Sequence, residues 1–102
     1  MSLLEDVTHR AEVRWGHPLD SLDRAAIELV IADRVLHDVA GTDEAAENAA
    51  YHVQCGAFTR WWAESQHTSG VCNHPEMDAA WIRDTSYGGA VGAVNDYLRS
   101  AT

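Results

Sequence analysis

Residues 21–39, SLDRAAIELVIADRVLHDV, decide the fold. Leu22, Ala25, Leu29, Ala32, Leu36 and Val39 recur at intervals of three and four, which places them on one stripe of an α-helix. Ile27, Val30 and Ile31 fall roughly on the opposite side. Asp20 or Ser21 can serve as the N-cap, and Gly41 is a good glycine for the C-terminal end. A helix that is apolar on two faces either sits at the centre of a bundle or is covered by a partner chain. A central position is expected here, with a dimer as the alternative.

The same doubling recurs downstream. A helix is expected from near Thr42 to about Gln66, with Asp43, Glu44 and Glu47 in its first turns, where carboxylates suit the helix dipole. Ala46, Ala50, Val53, Ala57 and Trp61 form a stripe of mostly small residues. Tyr51, Cys55, Phe58 and Trp62 form a bulky aromatic one. Small residues permit close helix approach, and the aromatics are expected to supply most of the buried area. Gly56 lies inside this helix at a cost on the order of 1 kcal/mol against alanine, which a close crossing would explain.

Upstream, Ser2 and Glu5 have the spacing of a capping box. Leu3 or Leu4, Val7, Ala11 and Trp15 then share a face until Gly16-His17-Pro18 ends the helix. Beyond the long helix, His67–His74 reads as a loop. Pro75 suits a first helical position, and a short helix carrying Met77, Ala80 and Trp81 follows. Thr85-Ser86 is a candidate cap for a last helix lined by Tyr87, Val91, Val94 and Leu98, with Gly88, Gly89 and Gly92 predicting a kink or a late start. Strand alternation is nearly absent. The expected fold is all-α: a single compact domain over residues 1–102, with four to five helices in a bundle or orthogonal array.

Composition agrees with one domain. A folded chain of 102 residues should expose roughly 5,700 Å² of the roughly 16,000 Å² it presents unfolded, enough for one modest core. Sixteen acids face seven bases, for a formal charge of −9. That balance lacks the basic footprint of a nucleic-acid binder and disfavours anionic membrane surfaces. It fits a basic partner, or simply solubility. A mimic of nucleic acid would need carboxylates spaced like phosphates along one face, whereas these are spread over caps and flanks. All seven bases are arginine, so lysine-based Schiff-base and P-loop chemistry is excluded. Arginine without lysine, beside abundant alanine, matches a high-GC coding bias and points to a bacterial or phage genome. The N-terminus reads as lacking a secretory leader and no stretch matches a membrane span, so a cytoplasmic setting is expected, a host cytoplasm if the gene is a phage's.

Two cysteines are too few for a disulfide framework. His52, Cys55, Cys72 and His74 form the sharpest chemical constellation. Two thiolates and two imidazoles make a legitimate tetrahedral zinc set, although the Cys72-x-His74 half is closer than a paired motif usually is. Against it, Cys55 lies within the aromatic stripe, where a free cysteine behaves as a small hydrophobe. A Cys55–Cys72 disulfide and a nucleophilic Cys72 beside His74 are the two other readings of the thiols. Four tryptophans are many for this length, and tryptophan is enriched at binding hot spots.

No catalytic signature stands out, while two helices carry excess apolar surface. The expected function is therefore that of a small, non-enzymatic interaction or regulatory protein. It would bind a protein partner, or a second copy as a homodimer, through Ile27, Ile31, Tyr51 and Trp62, with no cofactor. A zinc-binding module and a thiol enzyme are the alternatives.

Overall fold

The computed structural model describes residues 3–72 and 79–100. Among them are four helices: α1 (Leu3–Trp15), α2 (Ser21–Val39), α3 (Glu44–Cys72) and α4 (Ala79–Ser100), and no strand. The chain is all-α and forms one compact globule.

Local chemistry sets the ends of α2. The Asp20 carboxylate accepts from the Asp23 N–H at 2.8 Å and caps the helix. Gly16 and Gly41 follow α1 and α2 with φ of +78° and +80°, the left-handed region that a side chain would strain. Asp43, rather than Thr42, caps α3, its carboxylate accepting from the Ala45 N–H at 3.0 Å. The Thr42 hydroxyl instead donates back to Val39 O at 2.7 Å.

Cross-helix pairs give the topology. Ser21 with Glu64, Glu28 with Arg60, and Asp33 with Gln54 run in opposite chain directions, so α2 and α3 are antiparallel. Trp61 with Ser86 and Ser65 with Arg83 make α4 antiparallel to α3. Helices α2 and α4 each pack against the other three, whereas the α1 and α3 backbones do not approach closely among the described residues. The parallel pair α2 and α4 thus forms the middle of the bundle, and α1 and α3 flank it. Ile27 is 1% exposed, as the central placing of α2 requires. Arg10 and Arg14 both reach Asp96 at 3.1 Å and fasten α1 to α4.

The core is built of small side chains. Ala25, Ala26 and Ala32 of α2, Ala50 and Ala57 of α3, and Ala90 and Ala93 of α4 are buried, with Val7, Ile27, Leu29, Ile82 and Val94 among them. Alanines let helix axes approach closely. Trp61 is the one α3 aromatic in this core, its indole N–H donating to the Ser86 hydroxyl at 3.0 Å.

Three expectations need correction. The α3 backbone continues through the expected loop as far as Cys72. Helix α4 starts at Ala79 and passes through Thr85 and Ser86 without a break. Ser86 does not cap a helix but lies buried inside one, where its hydroxyl donates to Arg83 O at 3.2 Å and serves the Trp61 indole. The aromatic stripe is also not the buried one: Tyr51, Phe58 and Trp62 are 54, 42 and 42% exposed. The small-residue stripe occupies the α2 contact, because a bulky face there would hold the two helices apart. The proposed Ser2 cap, Pro75 and Met77 lie outside the described residues.

Truncating Ile27 tests the centrality of α2. Ile27→Ala should cost about 2–5 kcal/mol in urea unfolding, the range for a fully enclosed aliphatic side chain. Ile31→Ala, at a half-buried position, should cost clearly less.

Candidate functional site

Helix α3 has three faces with different neighbours. Its core line, Ala50, Ala57, Trp61 and Ser65, is buried. On one flank stands the ridge Tyr51, Phe58 and Trp62, with half-buried Cys55 between them. The Phe58 and Trp62 rings stack with centroids 5.7 Å apart. The Arg83 guanidinium of α4 lies 3.6 Å above the Trp62 ring and donates to the Ser65 hydroxyl at 3.4 Å. At the other end, hydrogen bonding to the Cys55 thiol pushes the Tyr51 phenol above its ordinary pKa.

The opposite flank of α3 borders an apolar groove of about 470 Å³. Ile31, Val35 and Val39 of α2 face Ala46, Ala49 and Val53 of α3 across it, and Leu4 of α1 closes one side. Glu28 is its only ionisable lining residue among the described ones, and it is paired with Arg60.

A third feature lies where α2, α3 and α4 meet. A cleft of about 520 Å³ is lined by Leu29, Asp33, Gln54, Phe58, Trp61, Arg83, Asp84, Tyr87 and Gly88. The Tyr87 hydroxyl donates to Asp33 Oδ2 at 2.7 Å, and the Gln54 amide donates to Asp33 Oδ1 at 3.0 Å. Burial, with the hydrogen bond to Asp33 and that carboxylate's charge, pushes the Tyr87 phenol up to about 12.

The four residues expected at an interface do not form one patch. Ile27 is enclosed in the core by the other helices and is not a surface contact. Ile31 lines the groove, while Tyr51 and Trp62 stand on the ridge across α3 from it. The expected zinc set is not gathered either. His52 is exposed, with its ring edge-on to Tyr51 at 6.1 Å. Cys55 and Cys72 lie on one continuous helix, and at 1.5 Å per residue their Cα atoms are about 25 Å apart. No single ion or disulfide spans that distance. The Cys72 side chain and all of His74 lie outside the described residues, among which no group of three His, Cys, Asp or Glu converges as a metal site.

Asp33, Gln54, Arg83 and the cleft role of Tyr87 were not legible as a site. The available signal was faint: Asp33 interrupts an apolar helix one turn after Leu29. No described helix is long and apolar enough to cross a membrane. Comparison of the chain with protein-family models, curated proteins and solved structures finds no match.

The Tyr87–Asp33 bond has a testable pH signature. A phenol pKa raised from about 10 contributes stability that is fully present below pH 10. That contribution is lost as pH rises through about 12. Ultraviolet titration of phenolate absorbance should show a late component near 12, and Tyr87→Phe should delete it.

Proposed function

We propose that this is a small protein-binding module without catalytic chemistry, and that the aromatic ridge of α3 is its contact surface. The exposure of Tyr51, Phe58 and Trp62 in one row carries the reading. Large apolar side chains gathered on a surface mark interaction sites, and aromatics dominate the energetics of such sites.

Magnitudes set the scale of the contact. Covering the exposed parts of the three rings would remove roughly 300 Å² from water, worth about 7 kcal/mol at 25 cal/mol per Å². Association costs about 4–15 kcal/mol, so the ridge alone supports at most a weak complex. It therefore acts as the anchor row of a wider contact. The accessible surface, 6407 Å², leaves room for one. Helix α3, whose 29 residues span about 43 Å, gives that contact a long surface around the ridge.

The partner is a protein with an apolar patch and basic surroundings, since the chain carries a charge of −9. A second copy of an equally acidic chain meets repulsion at low salt, so the heterologous partner is preferred over a homodimer.

The double variant Tyr51→Ser/Trp62→Ser tests this. Both side chains are exposed, so circular dichroism and thermal midpoint should stay near wild type. Cross-linking in extracts of the native host, read by mass spectrometry, should place a partner's cross-links around α3 in the wild type and lose them in the variant. Identical cross-link patterns for the two proteins would overturn the assignment. Light scattering during gel filtration should give a monomer, and a stable dimer that the double variant dissociates would replace the heterologous partner with a second copy.

A further inference from the structure

We infer that the cleft between α2, α3 and α4 is a binding site for an organic cation, an ammonium or guanidinium group on an apolar body. Its volume, about 520 Å³, falls within the range of small-molecule sites. Buried Leu29 and Trp61 form an apolar floor. The Phe58 and Tyr87 rings stand 5.6 and 6.0 Å from the Trp61 ring, so three π-systems border one space.

Charge selects the ligand. Asp33 and Asp84 line the cleft, against Arg83 as the single lining cation among the described residues. Asp33 is half-buried, and its hydrogen bonds come from neutral donors, the Gln54 amide and the Tyr87 phenol. Those bonds fix the carboxylate in place without neutralising it. Arg83 is committed elsewhere, over the Trp62 ring and to Ser65. Its position on that outer ring is an internal example of what the cluster attracts, a guanidinium against an aromatic face. An incoming cation would find the same attraction at Phe58 and Tyr87, with the Asp33 charge to pair it.

Gly88 lines the α4 side of the cleft. A Cβ there, as at Gly89 and Gly92, would meet nothing within 4 Å, so internal packing does not require glycine and a larger side chain can be placed at this position to fill the cleft.

The cleft shares Phe58 and Arg83 with the ridge, but different variants report on the two. Benzyltrimethylammonium and arginine amide are the probes, with benzyl alcohol as the neutral control. Both cations should bind saturably and move the Trp61 indole N–H resonance, and benzyl alcohol should bind about tenfold more weakly. Asp33→Asn should weaken the cations about tenfold while leaving benzyl alcohol unchanged. Gly88→Leu keeps every internal contact and strengthens the helix. It should raise the thermal midpoint and yet abolish cation binding, a combination that a purely structural role for Gly88 does not produce. If Asp33→Asn fails to fold, Gly88→Leu still decides the matter.

A wild-type Trp61 resonance indifferent to both cations would overturn the inference, as would a folded Gly88→Leu protein that binds them like wild type. A short peptide with one arginine that binds at least tenfold more tightly than arginine amide assigns the cation to a protein side chain. Equal affinities assign it to a free small molecule.

Discussion

Helices α2 and α3 approach one another over alanine. Ala25 and Ala32 on one side, with Ala50 and Ala57 on the other, are all buried, and the remainder of the bundle follows from that contact. Because it consumes the small stripe of α3, the aromatic stripe must turn away from α2. Among the described residues, helix α4 then meets α3 around Trp61, Trp62 and Ser65, where the indole finds Ser86 and Arg83 reaches Trp62 and Ser65. The rings nearer the start of α3 are left to solvent. One packing choice thus produces both the thin core and the exposed ridge.

A thin core has energetic consequences. Each buried alanine removes little apolar area, whereas a fully buried leucine or isoleucine is worth about 1.5–3 kcal/mol. Ile27, Val7 and Val94 therefore carry a disproportionate share of the burial energy. Polar pairs define register more than they add stability: Arg10 and Arg14 on Asp96, and Arg60 on Glu28, are partly exposed pairs of the kind worth about 0–1 kcal/mol. The buried hydroxyls of Thr8, Ser65 and Ser86 are all hydrogen-bonded, so the small core is also polar-satisfied among the described residues.

The net charge takes on a narrower meaning in three dimensions. Asp20 and Asp43 cap helices, and Asp96 and Glu28 hold arginines. Asp33 is different, because it sits among aromatic rings and, among the described residues, accepts from the neutral Tyr87 and Gln54. Acidity spread over caps says little about ligands, whereas one fixed carboxylate beside π-faces defines a chemistry.

Helix content, the two left-handed glycines and the central position of α2 were legible in the sequence, because periodicity, capping and the φ preference of glycine act within a few residues. The apparent loop near His67 and the apparent cap at Thr85-Ser86 misled for the same reason. Polar and glycine residues weaken a helix locally, but cross-helix bonds at Trp61, Ser65 and Ser86 favour its continuation through Ser86. The two apolar stripes of α3 were visible, but which one faces inward was not. That choice depends on the α2 surface opposite, and steric fit between helices far apart in sequence has no local signature. For the same reason Cys55 and Cys72, which suggested a shared ion on paper, are held apart by the length of one helix. Local sequence determined an all-helical chain with surplus apolar surface; tertiary packing alone decided that the surplus is an outward aromatic ridge, and that Asp33, Trp61 and Tyr87 meet around a cleft.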